Sequence, residues 1–236
     1  MSAMKSTSVT MGHLRWFLLS AIVVLAAAVQ AHAQSPEALA QQIQETYADI
    51  ESISFSFSQT TGGQIAGRPK TGKGTAVFAR IEDRNMMRWN YVQPEPQVVL
   101  SDGISISMYF EKLNQMIITS VDKAQADILF SFFTASEPLS DRFSLLPPEG
   151  NTAAGNAGTQ VLQLQPLEAE SQIKSIHLWL DEDSVIRRIQ LLDHFDTRTT
   201  INLSMISINP LDSTNEQDIA KRFTFVPPEG TEIIRQ

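Results

Sequence analysis

The stretch Met86-Met87-Arg88-Trp89-Asn90-Tyr91 is followed by Val92-Gln93-Pro94-Glu95-Pro96-Gln97-Val98-Val99-Leu100-Ser101-Asp102-Gly103. Apolar and polar side chains alternate in the first part, and alternate residues of a strand share a face, so Met87, Trp89 and Tyr91 point the same way. A proline-bounded turn leads to a second strand that ends at an Asp-Gly pair. Met and aromatic side chains fit irregular apolar shapes well, so this face is a candidate wall for an apolar ligand.

Strand-like alternation recurs along most of the chain. Ile53, Phe55 and Phe57 share one face, with serines between them, and Gly62-Gly63 and residues 67–72 have the composition of turns. The other predicted strands are residues 74–80, 86–91, 98–100, 104–109, 116–120, 159–164, 173–180, 185–194, 198–206 and 222–226.

Three segments have helical spacing instead. Ser35 as N-cap and Pro36 at the first position begin an amphipathic helix that extends to about residue 50. Residues 123–134 predict a second, very apolar helix, and residues 215–221 a short helical turn. This order indicates one α+β domain, in which a long, curved antiparallel sheet carries helices on one face. Periodicity leaves open whether the sheet packs tightly on its helices or encloses a cavity.

The first 33 residues have the pattern of a secretory signal peptide. Basic residues (Lys5, Arg15) precede an apolar run over residues 16–29, and Ala31-His32-Ala33 forms a small-x-small cleavage signature. The run is short for a membrane span, which needs about 20 residues. We therefore expect an exported, soluble domain over residues 34–236.

Charge and cysteine content restrict the function. The formal charge is −8, and cleavage of the leader, which has two basic residues and no acids, would make it −10. This charge disfavours nucleic acid as a partner, because nucleic-acid binding depends on neutralising phosphates. The chain has no cysteine, so it has no disulfides, and Gln34 cannot carry the lipid of a bacterial lipoprotein.

Catalytic motifs are absent from the sequence. There is no Gly-x-Ser-x-Gly elbow, His-Glu-x-x-His, phosphate loop or dinucleotide fingerprint. His177 and His194 fit surface or strand-face positions better than a triad or a metal site, and Asp181-Glu182-Asp183 fits a solvated turn. We predict no enzymatic activity, no catalytic residue, no metal and no cofactor.

The bulky apolar side chains of neighbouring strands are the candidate ligand-binding residues. As single residues they fit a packed core, but together they fit a pliable interior for acyl chains, which gain roughly 0.8 kcal/mol per buried CH₂. The set is Phe55, Phe57, Phe78, Met87, Trp89, Tyr91, Ile106 and Met108. Arg80 and Arg84 border the turn before the Met-Met-Arg-Trp strand, either as solvated charges or as donors to free carbonyls at the end of a covering helix.

Several motifs in this order resemble the LolA family, the periplasmic carriers of outer-membrane lipoproteins. They are Phe55-x-Phe57-x-Gln59, Gly74-x-x-x-Phe78, Arg88-Trp89-Asn90-Tyr91, Gln93-Pro94, Val99-Leu100-Ser101-Asp102-Gly103, Tyr109, Gln115 and Arg222-Phe223-Thr224-Phe225-Val226-Pro227-Pro228-Glu229-Gly230. Together they extend from about Ser35 to Gly230.

The resemblance implies an incomplete, strongly curved antiparallel β-barrel with a helical lid over a hydrophobic cavity. Such a carrier acts as a monomer. It takes the acyl chains of a lipoprotein from an inner-membrane ABC transporter and passes them to an outer-membrane receptor.

At single positions the resemblance assigns roles and shows two departures. Arg80 matches the arginine that holds the lid closed, and Met87 falls where an aromatic residue lines the cavity mouth. The segment from Arg80 to Trp89 is a few residues longer than in well-known members, so Arg84 is the alternative lid arginine. Ser107 replaces a tryptophan.

Two other functions compete with the carrier. The first is a periplasmic lipid-sensing regulatory module with the same curved sheet, which usually has a second domain. The second is an esterase, which the missing nucleophile motif disfavours.

Overall fold

The alternating stretches form the strands of one sheet in the computed structural model, which describes residues 34–63, 67–82, 84–120, 132–133, 137–149, 159–168, 171–212 and 214–236. Ser35–Gln236 form one compact unit. The strands are β1 Ser52–Gly62, β2 Lys70–Ile81, β3 Arg84–Gln93, β4 Gln97–Ser101, β5 Ser105–Phe110, β6 Gln115–Ser120, β7 Phe143–Leu146, β8 Gln160–Pro166, β9 Ile173–Leu180, β10 Ile186–Asp193, β11 Arg198–Ile208 and β12 Glu232–Arg235. The helices are α1 Pro36–Ala48, α2 Leu139–Arg142 and α3 Glu216–Arg222, and Glu111–Leu113 form a 3₁₀ turn.

The sheet is curved and unclosed. Its order is β12-β6-β5-β4-β3-β2-β1-β11-β10-β9-β8-β7, and among the described strands the two edges, β12 and β7, do not pair with each other. All neighbours are antiparallel except β12, which runs parallel to β6. Register shifts interrupt the β1–β11, β2–β3 and β9–β10 pairs. Such bulges bend a strand and increase its twist, which favours curling of so wide a sheet.

Helix α1 covers the sheet face that carries Phe55 and Trp89, here called the inner face. The Ser35 hydroxyl accepts a hydrogen bond from the Ala38 amide at 3.2 Å, as an N-cap does, and the buried stripe of α1 includes Ile43 and Tyr47. The Tyr47 hydroxyl accepts a hydrogen bond from the Ile186 amide at 3.1 Å, and burial raises the pKa of Tyr47. The predicted first helix is thus present, two residues shorter than expected at its C-terminal end.

The opposite, outer face carries a smaller apolar cluster. Val77 and Ala79 of β2 pack there with Leu211 and with Ile219 and Phe223 at α3. Beyond α3 the chain crosses the outer face to the sheet edge, where β12 pairs with β6.

The strand predicted at residues 222–226 is wrong. Arg222 ends α3, residues 224–228 have no regular structure, and the last strand is Glu232–Arg235. The two phenylalanines find separate partners instead of a shared strand face: Phe223 joins the outer-face cluster, and Phe225 packs against Tyr109 at 4.9 Å between ring centroids.

Other predictions were partly confirmed or fall outside the described residues. Residues 70–72, expected in a turn, begin β2, while β7 and α2 were not predicted. Of the apolar helix at residues 123–134 only Phe132 and Phe133 are described, and both are helical. The signal peptide at residues 1–33 lies outside the described residues. No helix in the part of the chain that the structure describes has both the length and the apolar character needed to cross a membrane.

Asn209 joins the end of β11 to the connection between α1 and β1. Its backbone has φ of 50°, and its Oδ1 accepts hydrogen bonds from the amides of Glu51 and Ser52 at 2.9 and 3.1 Å. We expect Asn209→Ala to lower the free energy of unfolding by about 2 kcal/mol, since it removes both bonds and puts alanine, which tolerates the left-handed conformation less well than asparagine does, at a positive φ.

Asn209→Gly is the matched variant, because glycine tolerates the positive φ. It is expected to cost about half as much as Asn209→Ala in urea unfolding. Equal losses for the two variants would show that backbone conformation contributes nothing at this position.

Candidate functional site: an apolar cluster on the inner face

The structure brings all eight predicted ligand-binding side chains into one apolar cluster. Six are buried, at 1–4% exposure, and Tyr91 and Met108 are partly buried and pack against them. The buried six are Phe55, Phe57, Phe78, Met87, Trp89 and Ile106. Because all eight lie on the inner face, this surface is called the inner cluster below.

Strand register explains why these residues meet. Phe55 lies opposite Ala76, which lies opposite Trp89 in the next strand, and the row continues through Val99 to Met108. A second row contains Ile53, Phe78, Met87, Ser101 and Ile106. Residues in one row point to one face, so the alternating pattern places the bulky side chains of these two rows on the inner side.

Gly74 makes room for this packing. A Cβ at that position would lie 2.0 Å from the Asn90 carbonyl oxygen and 2.9 Å from the Phe57 ring. Only glycine lets the two groups approach so closely. The glycine of the Gly74-x-x-x-Phe78 motif therefore has a packing role.

Most ring pairs of the inner cluster are edge to face, while Phe55 and Phe78 are stacked. Phe57 lies 4.6 Å from Trp89 and 4.9 Å from Tyr91 between ring centroids. Phe133 covers this layer, 4.6 Å from Phe78 and 5.4 Å from Phe55. Phe133 was not among the predicted site residues, although its place in the predicted apolar helix was a signal that could have identified it.

One end of the inner cluster is polar. The Tyr91 hydroxyl donates to Gln59 Oε1 at 2.8 Å, and Gln59 Nε2 donates to the Thr61 hydroxyl at 3.3 Å. Burial raises the pKa of Tyr91. Gln59 was also missed as a site residue, although period two places it on the same face as Phe57.

The two candidate lid arginines have different surroundings. Arg80 Nη2 donates a hydrogen bond to the carbonyl oxygen of Ala48, the last residue of α1, at 2.7 Å. Arg84 is exposed, and it makes no hydrogen bond or ion pair with the described residues. The carbonyls of the last helical turn have no partner within the helix, so Arg80 satisfies one of them.

His177 lies on the outer face of its strand and is buried, at 8% exposure. The sequence predicted a surface or strand-face position for this histidine, and the structure shows the strand-face position. It lies opposite Gln163 and Gln190 in the neighbouring strands. His177 Nδ1 and Gln163 Oε1 are buried without a hydrogen-bond partner in the described structure. Among the described residues no three His, Cys, Asp or Glu side chains converge as a metal site.

Burial holds the pKa of His177 below its usual 6.5, and the charge of Arg198 adds to this effect against the opposing carboxylate of Glu149. The unfolded chain therefore binds a proton at a higher pH than the folded chain does. We expect stability to fall as the pH drops below about 6.5, until the folded-state pKa is passed.

His177→Gln should flatten this pH dependence, measured as urea midpoints between about pH 5 and 7. His194→Gln, which removes an exposed imidazole, is the control for the loss of a histidine. Equal flattening by both variants would contradict the assignment to His177.

Comparison with known proteins agrees with the motifs. The family model "Outer membrane lipoprotein carrier protein LolA" matches residues 48–216. A protein of Bordetella pertussis, named outer-membrane lipoprotein carrier protein, is 26% identical and covers 91% of this chain and 95% of its own length. A protein of the same name from Alkalilimnicola ehrlichii is 30% identical, covering 80% of this chain and 79% of its own length.

Among solved structures, a LolA superfamily protein from Nitrosomonas europaea aligns with a TM-score of 0.43 and 11% identity. The alignment covers 82% of this chain and 99% of that chain. The family match alone covers well over half of the 236 residues. The chain therefore belongs to the LolA family of outer membrane lipoprotein carrier proteins.

Proposed function

We propose that this protein is a periplasmic chaperone that binds the acyl chains of lipoproteins released from the inner membrane and carries them to the outer membrane. The observation that carries the proposal is the inner cluster, a face of eight apolar side chains gathered from neighbouring strands. The relatives' common name, lipoprotein carrier protein, supports the same cargo.

Cargo binding on this face requires the covering residues to move. Rings of the inner cluster contact one another and Phe133, so an acyl chain would replace these ring contacts with its own. Each buried CH₂ contributes roughly 0.8 kcal/mol, which favours loading, while the lost ring packing opposes it. A carrier must also release its cargo, and these opposing terms keep the affinity moderate.

The lid in this proposal consists of α1 together with Phe132 and Phe133. The hydrogen bond from Arg80 to Ala48 would hold α1 over the inner cluster when no cargo is bound. We assign the latch to Arg80 rather than Arg84, because of these two arginines only Arg80 makes a described contact with the end of α1.

The direction of transport would follow from the partners. The carrier has no energy source of its own, so cargo moves toward the partner with the higher affinity. We propose that an inner-membrane ABC transporter supplies the lipoprotein, that an outer-membrane receptor accepts it, and that the carrier acts as a monomer. Export to the periplasm would depend on the signal peptide at residues 1–33.

Release of lipoprotein from spheroplasts tests the proposal. Spheroplasts that express a tagged, outer-membrane-directed lipoprotein are incubated with the purified protein, and the soluble fraction is probed for a complex. The matched control is the same lipoprotein with its acylated cysteine replaced by serine. We expect only the acylated form to co-purify.

Two outcomes would contradict the carrier. Co-purification of both forms would show that the protein part, not the acyl chain, is bound. Binding of an acyl probe without any released lipoprotein would favour the alternative, a periplasmic lipid-sensing module.

A further inference from the structure

A groove of about 470 Å³ lies on the outer face, on the other side of the sheet from the inner cluster. Its floor is formed by β1, β2 and β3, and one wall is α3. Ser56, Thr75 and Asn90 lie side by side across the three strands of the floor. This surface is called the outer groove, and of its described lining residues only Phe55 is also a member of the inner cluster.

Arg88 is the central cation of the outer groove. Its Nε donates to Asn90 Oδ1 at 2.9 Å, and its Nη1 donates to the carbonyl oxygens of Arg222 and Thr224 at 3.0 and 3.2 Å. These bonds orient the guanidinium plane, while Nη2 makes no hydrogen bond with the described residues. Every acceptor of Arg88 is a neutral oxygen, so in the described structure no carboxylate balances its charge.

Arg88 is partly buried in the outer groove, and this burial lowers the pKa of its guanidinium group. A partly desolvated cation gains more from an anionic partner than a solvated one does, because the local dielectric is lower. The outer groove is therefore a favourable place for a negative group.

Among the other charged side chains that line the outer groove, positive ones outnumber negative ones. Lys221 has no ion pair with the described residues, whereas Arg222 pairs with Asp218 at 3.3 Å. The lining thus has three cations and one carboxylate, in a chain whose net charge is −8. The positive character is local and is opposite to that of the protein as a whole.

Hydroxyl groups supply further donors. The side chains of Ser54, Ser56 and Thr75 line the outer groove and make no hydrogen bond with the described residues. A guanidinium edge, an ammonium and several hydroxyls form a donor-rich set, which suits the several acceptor oxygens of a phosphate group.

We propose that the outer groove is a binding site for a phosphate group, carried either by a phospholipid headgroup or by a soluble molecule. Because the site lies on the opposite face from the inner cluster, its occupancy is separable from acyl binding. The volume exceeds that of inorganic phosphate, so part of the molecule that carries the phosphate fits as well.

The test measures binding in two arms at constant ionic strength. One arm titrates inorganic phosphate and glycerol phosphate by calorimetry, with amide NMR shifts at Ser56 and Thr75 to locate the site. The other arm measures co-sedimentation with vesicles of phosphatidylglycerol or of phosphatidylcholine. The variants are Lys221→Gln and Arg88→Lys, and Lys174→Gln is the control with the same charge change, on an exposed lysine paired with Asp196.

We expect Lys221→Gln and Arg88→Lys each to weaken binding at least tenfold, and Lys174→Gln to leave it unchanged. Binding of phosphatidylglycerol vesicles alone would identify a lipid headgroup as the source, and binding of soluble phosphates alone a soluble ligand. Circular dichroism verifies that each variant is folded.

Two results would overturn the proposal. The first is no binding in either arm by folded wild-type protein. The second is equal weakening by Lys174→Gln and Lys221→Gln, which would show diffuse surface charge rather than a site. Neither result depends on acyl binding, so the carrier proposal would stand or fall separately.

Discussion

Phe78→Ala is expected to lower the free energy of unfolding by about 3–5 kcal/mol. Phe78 is 1% exposed and lies at the centre of the inner cluster, with ring centroids of Trp89 at 5.8 Å and Phe133 at 4.6 Å. Removing the ring deletes buried apolar surface and leaves a cavity that the surrounding rings only partly fill. Urea unfolding followed by circular dichroism measures the loss.

A second measurement separates ligand binding from stability. A cavity lined by apolar side chains stays dry and accepts apolar molecules, so a saturating acyl probe should recover part of the loss in Phe78→Ala. Phe195→Ala is the control, since Phe195 is 78% exposed and its removal should change stability by less than about 0.5 kcal/mol. A loss below about 1 kcal/mol in Phe78→Ala would show that the inner cluster is loosely packed.

Arg80→Leu is expected to leave loading intact and to impair delivery to the outer membrane, by roughly tenfold or more. The variant loses the bond to the Ala48 carbonyl, so the closed, empty state becomes less stable relative to the open, loaded one. Hydrogen bonds to charged groups contribute about 1.5–3 kcal/mol, reduced here by solvent exposure, and 1.4 kcal/mol corresponds to a tenfold change in population. Cargo would therefore remain on the carrier.

Each protein is loaded with lipoprotein from spheroplasts, and the fraction of bound lipoprotein that is transferred to outer-membrane vesicles is then measured. Arg84→Leu is the matched control, because it removes a neighbouring arginine that makes no hydrogen bond with the described residues. Normal delivery by Arg80→Leu together with a defect in Arg84→Leu would move the latch to Arg84. Failure of Arg80→Leu to load would contradict the latch altogether.

Local sequence pattern predicted much of the sheet because period two acts within each strand. The alternation from Met86 to Tyr91 placed Met87, Trp89 and Tyr91 on one face, and the structure confirms that they share it with Phe55. The Ser35-Pro36 start of α1 was equally local, since an N-cap and a proline act within one helical turn.

Elements that depend on distant partners were not predicted correctly. Phe223 and Phe225 alternate like strand residues, yet one packs beside α3 and the other on Tyr109. β12 pairs in parallel with β6. The spacing of apolar residues within a short segment does not predict which distant segment it packs against. The stabilising contacts here come from residues more than a hundred positions away.

The sequence by itself determined which side chains share a face, where the first helix begins and which family the motifs resemble. Only the tertiary structure decided that Phe133 covers the inner cluster, that Arg80 meets the carbonyl of Ala48, and that Arg88 and Lys221 line one groove. The physical reason is the sequence separation over which each interaction acts. The direction of a side chain follows from backbone geometry within a few residues. The packing of Phe133, the hydrogen bond of Arg80 and the lining of the outer groove depend instead on how the curved sheet brings remote segments together.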